Sequence, residues 1–200
     1  MNFETLRKNL EAAGFTVKVF DTAAQASDYL TDTLHGKTIG FGGSMTTTAM
    51  GLYEKLGKDN TVYNHAPAYD GPEILPLAAQ AQVYISSVNG AAETGELINI
   101  DGNGNRVAAT FYGREKVILV IGQNKVAPDF DQALWRARNI AAPLNARRLG
   151  CKTPCALGDE IKCYNCKSPD RICRGLTVLW RPMRGVGETE VLLVKEDLGY

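Results

Sequence analysis

The run Val117-Ile118-Leu119-Val120-Ile121-Gly122 is one of the longest apolar stretches of the chain and the starting point for an interpretation of its fold. No polar residue alternates within it, so a strand formed by this run must be buried on both faces. Such strands are typical of the centre of a parallel sheet that helices cover. The run is far shorter than the roughly 20 apolar residues that cross a bilayer. It therefore predicts the central strand of an α/β domain.

Strand-like and helix-like segments alternate on both sides of this run. Further strands are predicted at residues 15–20, 38–41, 83–88, 177–180 and 191–194, with a hairpin around residues 97–100. Helices are predicted at residues 3–13, 26–34, 46–56, 74–81 and 130–140, and residues 141–149 continue the last one after a break at Pro143. This alternation predicts a layered α/β fold with a largely parallel sheet. Because no repeat, linker or low-complexity tract divides residues 1–200, the sequence predicts a single domain.

The overall composition excludes several classes of protein. The 200 residues carry 22 basic and 22 acidic side chains, and 44% of the residues are hydrophobic. This apolar content argues against disorder, and the neutral balance argues against a chain-wide face for nucleic acid. Neither a membrane-spanning run nor the apolar core of an export signal is evident, which predicts a cytoplasmic protein without a membrane partner. A reducing compartment disfavours disulfides.

The first candidate site is the loop Gly40-Phe41-Gly42-Gly43-Ser44-Met45-Thr46-Thr47-Thr48 between a predicted strand and a predicted helix. Glycines let backbone N–H groups approach an anion closely, and hydroxyls and a helix N-terminus add further donors. The loop matches neither the dinucleotide fingerprint nor the P-loop. A glycine turn in which a threonine merely caps a helix is the alternative interpretation. The candidate ligand-binding residues are Gly42, Gly43, Ser44, Thr46 and Thr47.

The second candidate site is the polar segment 89–106, which follows another predicted strand. A carboxylate at Glu93 could act as a base or nucleophile, and the alternative is a solvated turn residue. The stretch that begins at Asp101 starts like a calcium loop but lacks the glycine and the final glutamate of that motif, so a structured turn is predicted. Arg106 suits a planar anion, with a surface salt bridge as the alternative.

Other catalytic patterns are missing from the sequence. The two histidines, His35 and His65, show no spacing typical of a metal site or a catalytic triad. No Gly-x-Ser-x-Gly motif is present, so serine hydrolase chemistry has no support.

All five cysteines lie between Cys151 and Cys173, and they form the third candidate site. Cys163 and Cys166 make a Cys-x-x-Cys pair, and the further thiols favour a zinc or iron–sulfur site. Redox-active thiols and a disulfide are the alternatives. Ser168-Pro169 predicts the start of a short helix. Residues 147–174 carry seven basic and three acidic side chains, an excess that favours thiolates.

Several of these motifs together resemble the LUD-domain (lactate-utilisation) family. The resemblance covers nearly the whole chain and rests on residues 40–46, 101–109, 122–126, 139–146, 153–155 and 168–174. The last three blocks are similar to the branch of the family that has a cysteine-bearing C-terminal segment, here residues 151–174. In the block Gly122-Gln123-Asn124-Lys125-Val126, Lys125 is a further candidate for an anion contact, together with Arg106.

The resemblance implies a fold like that of ribose-5-phosphate isomerase, glucosamine-phosphate deaminase and CoA transferases. It implies a small anionic or phosphorylated ligand, a link to lactate or organic-acid utilisation, and iron–sulfur proteins of lactate oxidation as partners. Related folds often self-associate, so a homo-oligomer is also implied. Because Cys151 stands where the family has another residue, the implied metal ligands are Cys155, Cys163, Cys166 and Cys173. An accessory zinc or iron–sulfur protein of electron transfer or assembly is the alternative function, and catalysis itself is left open.

Overall fold

The structure is a computed structural model that describes residues 2–66 and 69–200. Its strands are β1 (Thr16–Phe20), β2 (Thr38–Phe41), β3 (Thr61–Asn64), β4 (Val83–Ser86), β5 (Gly90–Ala92), β6 (Leu97–Asp101), β7 (Arg114–Gly122), β8 (Val126–Ala127), β9 (Gly175–Leu179) and β10 (Val186–Val194). Its α-helices are α1 (Phe3–Ala13), α2 (Ala23–Thr33), α3 (Met45–Ala49), α4 (Leu52–Leu56), α5 (Leu75–Ala78), α6 (Asn105–Phe111), α7 (Phe130–Arg136), α8 (Ala142–Arg148) and α9 (Pro154–Leu157). No helix in these ranges is long and apolar enough to span a membrane.

Six strands form a parallel sheet in the order β1-β10-β7-β4-β2-β3. β7 lies at its centre, and residues 117–122 of that strand are all buried. Leu119 packs with the core on one face of the sheet, which includes Leu6 and Leu10 of α1. Ile118 packs with the opposite core, which includes Leu30 of α2 and Leu52 of α4. The predicted layered α/β fold with a largely parallel sheet is confirmed, because helices cover both faces of the strand from which it was predicted.

Four shorter strands form a second sheet in the order β8-β5-β6-β9. β6 pairs antiparallel with both β5 and β9, whereas β5 pairs parallel with β8. The predicted hairpin is therefore present as β5 and β6. Gly90 allows the close approach of α7, because a Cβ atom there would lie 2.5 Å from the carbonyl oxygen of Ala133.

Three predicted helices differ in detail from the observed ones, and each difference has a local cause. The helix expected at 46–56 is split into α3 and α4 because Gly51 between them has a left-handed backbone with φ of 63°. The helix expected at 74–81 starts as a 3-10 turn and becomes α5 where Pro76, which has no N–H to donate, takes an early position. The break expected at Pro143 is instead a π-helical turn, Ala137–Ala141, that joins α7 to α8.

The short helix predicted after Cys166 is wrong. The chain makes only a turn at Pro169, in which the Arg171 N–H donates to the Ser168 carbonyl. The side chains that were to start the helix contact a neighbouring segment: Ser168 Oγ donates to the Lys152 carbonyl, and Asp170 accepts from the Lys152 N–H. Ser168 and Asp170 therefore fasten this turn to the start of the cysteine segment.

We expect Ile118→Ala to lower the free energy of unfolding by about 2–5 kcal/mol, because the cavity would lie in a core that is closed on all sides. Urea denaturation measures this change. Ile161→Ala is the matched control, since Ile161 is 45% exposed, and should change stability by no more than about 0.5 kcal/mol. Equal losses in the two variants would contradict the central position of β7.

Candidate functional site

A cleft of about 360 Å³ lies beyond the carboxyl ends of β2 and β4 and against the hairpin of the second sheet. The loop after β2 contributes Gly43 and Ser44, and the segment after β4 contributes residues 86–89. Its other polar and ionisable lining residues are Thr48, Asn64, His65, Asp101, Asn103, Asn105, Arg106, Lys125, Asn145, Arg148, Cys173 and Tyr200. Ligands of parallel α/β sheets bind beyond the carboxyl ends of the strands, and this volume lies in the usual range of about 300–1,000 Å³. The two polar loops singled out in the sequence therefore meet at one cleft.

Lys125 is the most unusual side chain of this cleft. It is 3% exposed, and its Nζ donates to Thr46 Oγ1 at 2.9 Å, to Ser87 Oγ at 2.9 Å and to the Val88 carbonyl at 3.2 Å. Burial is the main cause that lowers the pKa of Lys125 to about 7, and the positive charges of Arg136 and Arg106 contribute to this shift. None of the ion pairs formed by residues 2–66 and 69–200 includes Lys125. The ammonium group thus has three neutral acceptors and no anion.

The charge of the lining is positive overall. Asp101 is the one carboxylate among the described lining residues, and its Oδ2 lies 3.6 Å from Arg106 Nε. The remaining Asp101 contacts are structural, because Oδ1 accepts the N–H groups of Asn103 and Gly104 and so shapes the turn. The structured turn predicted from the sequence is present here. Lys125 and Arg148 remain as cationic lining residues without a carboxylate partner among the described residues.

Arg106 lines the cleft, but most of its hydrogen bonds go to the protein. Its guanidinium donates to Asn99 Oδ1, to the Ile100 carbonyl at 2.6 Å and to Asn89 Oδ1 at 3.4 Å. Burial lowers the pKa of Arg106 from its ordinary value. Arg106 does form a salt bridge, with Asp101, but both side chains are largely buried, so it is not the surface salt bridge considered from the sequence. The guanidinium also ties the hairpin to α6. An anion in the cleft would meet a guanidinium that is already held in place.

The glycine-rich loop forms one wall of the cleft, although only part of it faces the cavity. Gly43 and Ser44 line the cleft, whereas Gly42, Thr46 and Thr47 do not. Ser44 is the N-cap of α3 and accepts from the Thr47 N–H at 3.4 Å, so neither threonine is the cap. Thr46 contacts the site indirectly, because its hydroxyl accepts from Lys125 and donates to the Leu198 carbonyl.

Glycine is needed at position 42 because there is no room for a side chain, and not because of the backbone conformation. A Cβ atom at this position would lie 2.6 Å from Ser86 Oγ and 2.9 Å from Arg106 Cγ. The absence of a side chain lets the loop after β2 pack directly on the arginine that holds the hairpin. Its role is therefore to bring the two loops of the cleft together.

Three buried polar atoms at the cleft have no hydrogen-bond partner in the part of the chain that the structure describes. They belong to Ser86 (Oγ), His65 (Nδ1) and Tyr200 (Oη). Buried polar groups are usually satisfied, so such a group marks a place where a ligand or water supplies the missing bond. Sequence reasoning missed these three residues and Arg148. Ser86 alone carried a signal, namely its place at the end of a buried strand.

Glu93 lies outside the lining of the cleft. Its carboxylate accepts the Asn2 N–H at 2.6 Å, and its carbonyl accepts from Asn9 Nδ2 at 2.6 Å. These bonds fasten the β5–β6 turn to the start of α1. Glu93, the predicted base, therefore lies beside α1 and away from Lys125 and Ser86. Its catalytic role stays a prediction.

The five cysteines are free and half-buried, and they fall into two groups. Cys151 lies near Cys155, whereas Cys163, Cys166 and Cys173 lie near Arg171. Burial raises the pKa of Cys151, and the Asp170 carboxylate and the Cys155 thiol raise it further, so Cys151, which is outside the predicted set of metal ligands, favours the neutral thiol. Arg171 Nε donates to Cys173 Sγ at 3.1 Å and to the Cys173 carbonyl at 2.8 Å. The bond to Cys173, with weaker electrostatic interactions with Cys166 and Cys163, raises the pKa of Arg171.

The predicted metal ligands are not gathered into one cluster. Within the described ranges, no group of three or more His, Cys, Asp or Glu side chains is placed to hold a metal ion. Cys155 contacts Thr153, whereas Cys163, Cys166 and Cys173 interact with the guanidinium of Arg171. Of the four, Cys173 alone lines the cleft. The residues as arranged here therefore do not fit a four-thiolate site.

We expect Gly42→Ala to weaken the fold by about 1–3 kcal/mol, because the new methyl group would clash with Ser86 and the Arg106 stem. Thermal or urea unfolding measures the loss. Gly43→Ala is the control, since its Cβ would lie 3.4 Å from the nearest atom, His65 Nε2, which a small shift can accommodate. A Gly42→Ala protein as stable as Gly43→Ala would contradict the packing described here.

Comparisons with known proteins agree with this architecture. The family model described as "LUD domain" matches residues 3–194. The crystal structure of a DUF162 family protein from Deinococcus radiodurans is similar over 95% of this chain and 94% of that chain, with a TM-score of 0.56 and 15% identity. No curated protein matches significantly.

Two further solved structures are similar over about half of the chain. eIF2B beta from Chaetomium thermophilum is 14% identical, with a TM-score of 0.38, and the match covers 56% of this chain and 45% of that one. Ribose 5 phosphate isomerase A from Neisseria gonorrhoeae is 16% identical, with a TM-score of 0.35, and the match covers 54% and 52%. The family match spans nearly the whole chain and the full-length structural likeness agrees with it, so this chain belongs to the LUD-domain family.

Proposed function

We propose that the cleft binds a small organic anion whose carboxylate or phosphate group lies against Lys125. The family is linked generally to lactate utilisation. The observation that supports the binding role is a buried lysine that has no counter-ion among the described residues. It lies at the wall of a cavity whose one acidic side chain, among those that the structure describes, is already paired with arginine.

An ammonium group removed from water is destabilised unless an opposite charge or hydrogen bonds compensate it. Three neutral oxygens compensate Lys125 only in part, as its lowered pKa indicates. A bound anion would supply the missing opposite charge, and Arg148 would add a second cation at the cleft. The binding of an anion would therefore stabilise the buried ammonium group of Lys125, which the free protein compensates only in part.

The other lining groups suit a ligand that carries a hydroxyl or carbonyl oxygen besides its acidic group. Ser86 Oγ and His65 Nδ1 are buried and have no partner within residues 2–66 and 69–200, and each can donate or accept a hydrogen bond. Short 2-hydroxy and 2-oxo acids such as lactate and pyruvate offer this combination. We therefore place these acids first among the ligands for this site, with sugar phosphates second.

The affinity for L-lactate or pyruvate should fall as the pH rises through about 7, because the anion binds the protonated form of Lys125. Binding should be nearly constant below that pH and weaken by at most about tenfold per pH unit above it. Isothermal titration between pH 5.5 and 9 measures the profile. The carboxylates of lactate and pyruvate stay ionised over this whole pH range, so the pH dependence of binding comes from the protein.

Lys125→Met should weaken binding by about tenfold or more and remove the pH dependence, since methionine fills a similar volume without a charge. Lys58→Met is the matched control, because Lys58 is exposed and outside the cleft. Its profile should equal that of the unmodified protein. A folded protein that binds neither organic acids nor sugar phosphates at any pH would exclude the proposed function.

A second candidate function is that of an accessory zinc or iron–sulfur protein. The observation that favours it is that Cys163, Cys166 and Cys173 all interact with one cation, the guanidinium of Arg171. A metal ion would bind only after Arg171 moved away from these thiols, since the guanidinium holds Cys173 through Nε. An iron–sulfur cluster at such a site would transfer electrons, and a zinc ion there would cross-link the cysteine segment.

Metal analysis and visible absorption of protein purified without oxygen decide this second candidate. Stoichiometric iron or zinc that is lost in Cys163→Ser and Cys166→Ser, and retained in Cys151→Ser, would support it. Cys151 is the matched control because it lies with Cys155 and Asp170 instead of Arg171. A protein without metal under these conditions would exclude both the zinc and the iron–sulfur versions.

A further inference from the structure

A second, smaller cavity adjoins the cleft. Its volume is about 210 Å³, and it lies between the π-helical turn, the end of the cysteine segment and β9. We call it the arginine chamber, after Arg138, Arg171 and Arg174 in its wall. Its other lining residues are Ile100, Leu134, Cys163, Cys173, Gly175 and Leu176.

The arginine chamber carries positive charge without compensation. Its described lining residues include no aspartate or glutamate, and none of its three arginines takes part in an ion pair within residues 2–66 and 69–200. Arg171 and Arg174 donate to backbone carbonyls, which fixes the positions of their guanidinium groups. Apolar side chains, Ile100 and Leu134 among them, form the rest of the wall. Guanidinium groups over an apolar wall are a good receptor for a planar or tetrahedral anion.

The π-helical turn brings Arg138 to this chamber. The extra residue of such a turn changes the direction of the side chains that follow, and π-turns are frequent at functional sites. The neighbouring Asn139 accepts the Cys163 N–H at 3.1 Å, so the same turn fastens the cysteine segment. The Arg138 guanidinium makes one hydrogen bond among the described residues, from Nη2 to Cys163 Sγ at 4.0 Å, and this bond is too long to hold it. Its guanidinium is exposed and available to a ligand.

The cleft and the chamber are adjacent. Ile100 and Cys173 line both cavities, one from β6 and the other from the cysteine segment. A cavity of 210 Å³ lies below the usual size of a ligand pocket, about 300–1,000 Å³, so the chamber suits a subsite of the cleft better than a separate pocket. A ligand that filled both would meet Lys125 and Arg148 in the cleft and the three arginines in the chamber.

We propose that the arginine chamber is a second anion subsite, and that the ligand is an elongated molecule with an acidic group at each end. The acidic groups are carboxylates or phosphates, which guanidinium binds by the same pair of hydrogen bonds. The middle of the ligand passes between Ile100 and Cys173 and is short and apolar or neutral. This inference rests on the proposed function, because it assigns the first acidic group to the cleft, and it extends that function from a single anion to a dianion.

Titration with three sets of compounds tests the inference. The first set is monoanions, namely L-lactate and propionate, which report on the cleft alone. The second set is straight-chain dicarboxylates of increasing length, and the third is bisphosphates, including a sugar bisphosphate. We expect one chain length to bind at least about tenfold more tightly than any monoanion, since a second charge-assisted contact is gained. Comparison of the second and third sets identifies the acidic group.

Arg138→Ala is the decisive variant, because Arg138 lies on an exposed helix surface and holds no other element in place. It should remove the gain for the dianion and leave the affinity for monoanions unchanged. Arg138→Glu should bind the dianion more weakly still. Arg181→Ala is the matched control, since it removes one positive charge outside both cavities. Thermal unfolding confirms that all variants are folded.

Each outcome bears on one of the two proposals. Dianions that bind no more tightly than monoanions at every length, or a gain that survives in Arg138→Ala, would overturn the arginine chamber as a subsite. Loss of the gain in Arg181→Ala as well would mean a general effect of charge and would also overturn it. Monoanion binding that remains in these cases leaves the proposed function standing, whereas binding of no compound would remove both.

Discussion

Three buried cations meet where the two sheets join, and the need to compensate them organises the loops around the cleft. Lys125 and Arg136 are each less than a tenth exposed, and Arg106 is largely enclosed. Their pKa values are lowered mainly by burial. Asp101 forms an ion pair with Arg106, and the Asp197 carboxylate acts on Arg136 through a weaker electrostatic interaction. Lys125 has no ion-pair partner in the part of the chain that the structure describes, and dipoles, many of them backbone carbonyls, compensate the rest of the charge.

The backbone carbonyls at the strand ends turn toward these cations. The Val88 carbonyl accepts from Lys125, the Ile100 carbonyl from Arg106, and the Asn89 carbonyl from Arg136. These three carbonyls belong to the segment after β4 and to β6, so the cations hold the hairpin against the main sheet. Removal of any one cation would leave carbonyl groups without donors as well as altering the charge. The loops of the cleft are therefore rigid before a ligand binds, which lowers the entropic cost of binding.

The extent to which the sequence predicts the structure depends on the length of the pattern. Six consecutive apolar residues at 117–122 are enough to predict a strand buried on both faces, and the fold class follows from it. Only part of the second sheet could be predicted, namely the hairpin and the strand at 177–180 that forms most of β9. β8 has two residues and β5 has three, which are too few to show a period. The break expected at Pro143 became a π-turn because proline at an early helix position is tolerated when the preceding turn widens.

The candidate site was predicted in part for a similar reason. The two loops and the importance of Arg106 follow from their positions after buried strands, and Lys125 follows from the family resemblance. The roles of Ser86, His65 and Arg148 depend on contacts between distant segments, and no local pattern carries them. The role of Gly42 also changed: its missing side chain makes room for Ser86 and Arg106 instead of exposing an N–H group to a ligand.

The structure explains the uneven distribution of charge along the sequence in a different way. The sequence places seven basic and three acidic residues at 147–174, and the thiols of the same segment offered one reason for that excess. In the structure, Arg148 lines the cleft, and Arg171 and Arg174 line the arginine chamber. Cys151, by contrast, lies beside Asp170, which disfavours its thiolate. Three of the seven basic residues therefore line two adjacent cavities, and of these three only Arg171 holds a thiol by a short contact. Their positive charge is better explained as part of the wall of an anion site than as the counter-charge of a thiolate cluster.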